Sequence, residues 1–124
     1  MKKHTKIIIV LSVVLFLVEF ICIYKYQHIF THEKWVKSPE KREKLIDDML
    51  NKYELEGMTE REIVALLGED DCEDSEPRTF KLSKKEFDPS CTLIYYIGTY
   101  LVDEQWLIIS IENGIVSDYI MDIS

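Results

Sequence analysis

The chain has 124 residues, with 15 basic and 23 acidic side chains and a net charge of −8. Residues 1–32 carry four lysines and one glutamate, whereas residues 33–124 carry 11 basic and 22 acidic residues. This acidic body argues against nucleic acid as a partner, because nucleic acid needs a basic surface, and its 92 residues suffice for one small domain with one core.

An apolar run extends from Ile7 to Tyr24 and contains one charged residue, Glu19. At a rise of about 1.5 Å per residue, the run forms roughly 27 Å of helix, close to the thickness of a bilayer's hydrocarbon core. The run therefore predicts a transmembrane helix over residues 7–24, with membrane lipid as its partner.

The leader, residues 1–6, contains three lysines, which favour a cytoplasmic N-terminus. Cys22 follows Glu19-Phe20-Ile21, whereas cleavage by a signal peptidase or at a lipoprotein site needs small residues there. The sequence therefore predicts an uncleaved, single-pass signal anchor with the C-terminal domain outside the cytoplasm. A cleaved signal sequence is the alternative, and lysines on both flanks weaken the charge asymmetry.

Residues 25–38 resemble an interfacial linker, because aromatic rings and lysines alternate there as they do at headgroup level. The aromatic residues at this boundary are Tyr24, Tyr26, Phe30 and Trp35. His28 and His32 are four residues apart, a spacing that metal ligands use on one helix face. No third ligand follows at a suitable distance, so a wet interfacial stretch is the simpler interpretation.

Two helices are predicted after the linker. The first begins at Ser38-Pro39-Glu40, which combines a hydroxyl N-cap, a first-turn proline and an acid. It buries a stripe formed by Leu45, Ile46, Met49, Leu50 and Tyr53 and directs outward Lys41, Arg42, Lys44, Asp47, Asp48 and Lys52. The second helix follows the break at Gly57, begins with a capping box formed by Thr59 and Glu62, and stops at Gly68.

The segment 69–76 is an acidic loop with six carboxylates in eight residues. It lacks the alternating ligands and central glycine of a calcium loop, which favours a solvated loop over a Ca²⁺ site. A short strand is predicted over 78–83, with Phe80 and Leu82 on one side. Cys72 and Cys91 are the two cysteines of the body, and outside the cytoplasm they could form a disulfide.

The C-terminal part predicts strands over 92–100, 105–112 and 115–123. Asn113-Gly114 is the strongest short hairpin signal, and a two-residue turn there pairs Ile108 with Tyr119 and Trp106 with Met121. The predicted fold class is therefore α+β, with two helices on one face of a three- or four-stranded antiparallel sheet.

The second face of this sheet is the predicted interaction site, since two helices can cover only one face. Trp106, Ile108, Tyr119 and Met121 would form an apolar patch of the kind that marks protein interfaces. The alternative is that residues 78–88 or the linker cover this face. Catalysis has little support, because no histidine follows His32 and no glycine-rich phosphate loop occurs, and no cofactor is predicted.

The stretch from Leu55 to Asp70 resembles the signature of the BamE-like (SmpA/OmlA) bacterial envelope family, which has Leu-x-Gly-Met-Thr/Ser, an acidic turn, an apolar pair and Leu-Gly. The segments Tyr96-Ile97-Gly98, Val102-Asp103 with Trp106-Leu107-Ile108, and Glu112-Asn113-Gly114-Ile115-Val116 are similar to its strand pattern. The resemblance covers roughly residues 40–123. It implies two helices and a three-stranded sheet over a domain at 39–124, a layout shared with β-lactamase inhibitor proteins, and no enzymatic activity.

Asp70 stands where that family usually has proline, and the lipobox of its best-known members is missing. The expected function is accordingly that of a membrane-anchored adaptor or assembly module that binds an unidentified envelope protein. A juxtamembrane domain that senses a metal or ligand is the alternative, and an inhibitor or immunity-type protein is a third.

Overall fold

The computed structural model describes residues 2–72 and 77–124 and shows an α+β chain. The helices are α1 (Lys2–His28), α2 (His32–Lys37), α3 (Arg42–Lys52) and α4 (Glu60–Leu67). The strands are β1 (Arg78–Thr79), β2 (Glu86–Phe87), β3 (Thr92–Tyr100), β4 (Asp103–Glu112) and β5 (Ile115–Ile123).

Helix α1 has 27 residues, none of them buried, and is long and apolar enough to cross a membrane. Its exposed apolar side chains run from Ile7 to Tyr26 with few interruptions. A helix that is apolar on all sides needs an apolar environment, and the described part of the body buries none of its residues. Length and composition therefore agree with the predicted span.

The segment predicted as an interfacial linker has two parts: residues 25–28 continue α1, whereas the part from Phe30 onward joins the folded body. Thr31 caps α2 by accepting a hydrogen bond from the Lys34 amide, at 3.2 Å. Phe30 and Trp35 are buried in the core, with their rings edge to face at 5.8 Å between centroids. The aromatic pattern that suggested headgroups at these two positions reflects burial, because both rings pack in the core, where the Arg42 guanidinium lies 4.9 Å from the centre of the Trp35 ring.

Helix α3 is preceded by a 3₁₀ turn over Pro39–Lys41, so the predicted first helix is confirmed with a tighter start. Leu45, Ile46 and Met49 are buried as expected. The outward position predicted for Arg42 is wrong, because its side chain is buried.

Helix α4 begins as predicted. Thr59 and Glu62 form the reciprocal capping box, and the helix ends at Gly68, whose φ is +79°. The hydroxyl of Tyr95 on β3 donates to the Gly68 carbonyl oxygen at 2.8 Å, which ties the helix end to the sheet. Burial raises the pKa of Tyr95 well above its ordinary value, and the carboxylates at positions 69–71 raise it further.

The main sheet is antiparallel in the order β3-β4-β5, and α2, α3 and α4 contribute to the core on one face. This confirms the predicted three-stranded antiparallel sheet, whereas α2 adds a third helix to the two predicted on its face. The predicted strand at 78–83 is reduced to β1, which pairs with β2 in a separate two-stranded sheet. The buried residues of the main core are Phe30, Trp35, Leu45, Ile46, Met49, Leu55, Ile63, Leu67, Leu93, Tyr95, Ile97, Leu107, Ile109 and Val116.

The β4-β5 hairpin turns at Asn113-Gly114, where both residues have positive φ (54° and 77°), as a type I′ turn requires. A β-bulge follows: Ile111 pairs with Val116, but Ser110 pairs with Asp118, so Ser117 is an extra residue on β5. One extra residue moves every later side chain to the opposite face. The predicted pairing beyond the bulge is therefore wrong.

Candidate functional site

The four residues predicted to form one patch lie on opposite faces of the sheet. Ile108 pairs with Ile120 rather than Tyr119, and Trp106 pairs with Asp122 rather than Met121. Tyr119 and Met121 are half-buried and pack against the helix-covered core. Trp106 and Ile108 remain on the second face, together with Ile120. The bulge at Ser117 is the cause, because it shifts β5 by one residue.

The second face is covered by a hairpin arm, defined here as residues 78–87, which contains β1 and β2. Phe80 of the arm is 1% exposed and forms a second apolar cluster with Ile94, Trp106 and Ile108. The Arg78 guanidinium lies 4.6 Å from the centre of the Trp106 ring. The alternative considered from the sequence, cover by residues 78–88, is what the structure shows for Trp106 and Ile108.

Asp122 on β5 holds the arm in place. Its carboxylate is buried and accepts hydrogen bonds from the backbone amides of Leu82 (2.8 Å) and Ser83 (2.9 Å). Burial alone would raise the pKa of Asp122, but bonds from Ser83, Leu82 and Ile123 outweigh it and hold this pKa below its ordinary value. The arm is thus attached by a charge as well as by Phe80.

An exposed apolar end lies where β3 turns into β4, and the sequence interpretation missed it. We define this apolar end as Tyr100, Leu101 and Val102, whose exposed fractions are 56%, 83% and 95%. Leu101 has φ +57°, a conformation that is uncommon for a branched side chain. The sequence did contain a signal for this exposed surface: Tyr-Leu-Val occupies the turn between two strands, a place where glycine, asparagine or other polar residues are usual.

The arm reaches the same end of the domain. Lys81 forms an ion pair with Asp103, the first residue of β4. The backbone amide of Lys81 also donates to the Ile123 carbonyl oxygen at 2.9 Å. The next residue, Leu82, is 67% exposed. The ion pair holds the arm beside the apolar end, so Leu82 is a fourth large, exposed apolar side chain near it.

Part of the predicted acidic loop is structural. The Asp71 carboxylate accepts from Arg42 Nη1 at 2.7 Å and from the Tyr96 amide at 2.9 Å, while Asp70 accepts from the Ile94 amide at 3.3 Å. These two acids bind amides on the outer edge of β3, where no strand of the described residues pairs. Residues 73–76, which carry the other carboxylates beyond Cys72, lie outside the described residues.

Cys72 lies at the margin of the second apolar cluster, and Cys91 is exposed with its thiol 3.6 Å from the Asp88 carbonyl oxygen. Within residues 2–72 and 77–124 the structure contains no disulfide. The disulfide between Cys72 and Cys91 stays a prediction.

The histidine pair does not come together as a metal site. His28 Nδ1 donates to the Tyr24 carbonyl oxygen at 2.8 Å, and His32 Nδ1 donates to the Leu66 carbonyl oxygen at 2.9 Å. Across the described part of the chain, no three His, Cys, Asp or Glu side chains are grouped as metal ligands would be.

Comparison with known proteins adds no identification. No protein-family model matches the chain, and no curated protein or solved structure matches it.

Proposed function

We propose that the chain is a membrane-anchored protein-binding module that acts outside the cytoplasm as an adaptor or assembly factor and performs no catalysis. Helix α1 would serve as the single transmembrane anchor, since its length and composition suit a bilayer and its side chains lack any other apolar surroundings. The resemblance to the BamE-like envelope family points to the same class of function.

The apolar end is the observation that carries the binding proposal. Three consecutive large apolar side chains on a tight turn lose little by ordering when they bind, because the flanking strands already fix the backbone. Tyr100 supplies the aromatic ring that interface anchors favour. Keeping such a surface exposed favours aggregation, so its retention is best explained by a partner.

A photo-crosslinking residue at position 101 in the full-length chain tests this proposal in native membranes. The matched control is the same residue at position 113, because Asn113 occupies the other β4 turn with a similar φ and is also exposed. We expect a discrete protein adduct from position 101 and none from position 113. For the double variant L101D/V102D the crosslinking residue moves to position 100, because position 101 is then occupied. The yield of the protein adduct from position 100 should be at least about tenfold lower in L101D/V102D than in a chain with Leu101 and Val102, as loss of two anchors implies.

Adducts confined to lipid, or equal adducts from both turns, would contradict binding through the apolar end. An adduct yield from position 100 that L101D/V102D leaves unchanged would also contradict binding through the apolar end. Both substituted residues are exposed, so the fold should tolerate the change, and circular dichroism of the purified variant checks this.

A further inference from the structure

A cleft rich in lysine lies where α1 meets the body. Its volume is about 620 Å³, and its walls come from the end of α1, from α2 and from the start of α3. We define the lysine cleft by Lys34, Lys37, Lys41 and Lys44, together with Tyr26 on α1. Glu33 is the one acidic residue among the described residues of its lining, within a body that is otherwise strongly acidic.

The depth of the cleft along α1 corresponds to lipid headgroups. Tyr26 and Gln27 line it, and they follow the predicted end of the span at Tyr24 by two and three residues. At a rise of about 1.5 Å per residue they lie roughly 3–5 Å beyond the hydrocarbon core. The headgroup layer on each side is about 5–7 Å thick, so the cleft opens inside it.

Two of the lysines are engaged locally. Lys34 Nζ donates to the carbonyl oxygens of Tyr26 (2.6 Å) and Ile29 (3.0 Å), and it lies 3.7 Å from the centre of the Tyr26 ring. Lys37 pairs with Glu33. These contacts hold the wall of the cleft against the end of α1.

The other two lysines are available for a ligand. Lys41 and Lys44 are exposed, and neither takes part in the ion pairs formed among residues 2–72 and 77–124. The cleft also has an apolar side, formed by Ile29 and the buried Leu45. Carboxylates of α3 line a second groove along α1, whose acidic residues are Glu43, Asp47 and Asp48. Lys44 lies between the two grooves and lines both, whereas Lys41 lines the lysine cleft.

We infer that the lysine cleft binds the phosphate group of an anionic phospholipid, with Lys41 and Lys44 as the main contacts. This inference rests on the proposed anchoring by α1, which places the cleft at the membrane surface. Lysines near an anionic lipid surface are attracted to it, and the apolar side suits the start of the acyl chains. A body with net negative charge would otherwise be repelled by such lipids, so the cleft would fix which side faces the bilayer.

The test uses the purified full-length chain in detergent, titrated with phosphatidylglycerol or phosphatidylcholine, with bound lipids counted by native mass spectrometry. K41E/K44E should weaken phosphatidylglycerol binding by at least about tenfold, because two attractive charges become repulsive. The neutral variant K41Q/K44Q should fall between this variant and the wild type. Raising salt from about 0.05 to about 0.5 M should weaken wild-type binding, since added ions screen exposed charges.

The matched control is K84E/K85E, which makes the same charge change at exposed lysines on the arm, outside the cleft. It should bind phosphatidylglycerol as the wild type does. Equal binding by K41E/K44E and the wild type, or equal loss in K84E/K85E, would overturn the assignment of this cleft.

Flotation with liposomes of phosphatidylcholine alone separates this inference from the proposed anchor. Wild type and K41E/K44E should both float, because α1 inserts without help from anionic lipid. If both proteins float and K41E/K44E binds phosphatidylglycerol as the wild type does, the lipid site in the lysine cleft is contradicted and the proposed anchor is not. A wild-type chain that does not float would overturn the anchor and, with it, the inference built on it.

Discussion

Arg42 and Asp122 are charged side chains that the fold buries, and each is satisfied by several hydrogen bonds from other segments. Arg42 donates to the Trp35 carbonyl oxygen at 2.8 Å, to Asp71 at 2.7 Å and to the Tyr96 carbonyl oxygen at 3.1 Å. A guanidinium suits this position because its fixed fork can serve three acceptors at once. This one residue thus joins α2, the acidic loop and β3.

Asp122 gives a pH-dependent contribution to stability that the wild type should show and D122N should lack. Its folded-state pKa is lowered, so the stabilisation is present above the ordinary pKa near 4 and disappears as the pH falls through the lower folded value. The difference in unfolding free energy between wild type and D122N should therefore shrink from about pH 7 to about pH 3.

Urea denaturation of the full chain in detergent measures this difference, and amide hydrogen exchange locates it. In D122N, exchange at Leu82 and Ser83 should accelerate at neutral pH, because their acceptor loses its charge. D118N is the control, since Asp118 is exposed and, among the described residues, its carboxylate accepts only from the adjacent Tyr119 amide. Arm exchange that is the same in D122N and D118N would show that Asp122 does not hold the arm.

At the scale of elements, local chemistry determined what the sequence could predict. The capping box at Thr59, the stop at Gly68 and the turn at Asn113-Gly114 all depend on residues within a few positions of each other. The buried stripe of α3 follows from its helical period. Each of these features appears in the structure close to the predicted residues.

The features that the sequence did not predict depend on distant contacts. The bulge at Ser117 follows an ideal turn and has no signal of its own, yet it moved Tyr119 and Met121 to the other face. The arm docks because Asp122, about 40 positions away, binds its amides. The aromatic pattern around Trp35 fitted both a membrane boundary and a core, and periodicity could not decide between them.

Two glycines with positive φ provide a test of the contact between α2 and the end of α4. A Cβ at Gly68 would lie 3.0 Å from Val36 Cγ2, whereas a Cβ at Gly57 would meet nothing within 4 Å. G57A should cost about 1 kcal/mol of unfolding free energy from backbone strain alone. G68A should cost about 2 kcal/mol or more, since Gly68 has φ +79° and ψ −172°, a conformation nearly restricted to glycine, and the crowding of Val36 adds to this strain.

Urea denaturation measures both costs, and the double variant G68A/V36A isolates the crowding. Adding V36A should reduce the cost of G68A towards that of G57A. A cost of G68A that V36A leaves unchanged would contradict the close packing of α2 on the end of α4.

At the scale of the whole molecule, the chain combines an apolar helix with no buried residue and a body whose two apolar clusters are both covered. The helices cover one face of the main sheet and the arm covers the other. Outside α1, the large apolar side chains with more than half of their surface exposed are those of the apolar end and Leu82, whereas Ile29, Val36, Tyr53 and Ile115 are exposed to 41–45%. The lysine cleft lies at the junction with α1, so the proposed lipid contact and the proposed protein contact use different residues.

Labelling of Cys91 in intact cells tests most directly whether α1 anchors the body on the outer side of the membrane. Cys91 is exposed, and the C72A background removes the predicted disulfide partner. A membrane-impermeant thiol reagent should label Cys91 before lysis, while a cysteine placed at Lys3 in a C72A/C91S chain should react only after lysis. Labelling of Cys91 only after the cells are broken would place the body in the cytoplasm and contradict the account.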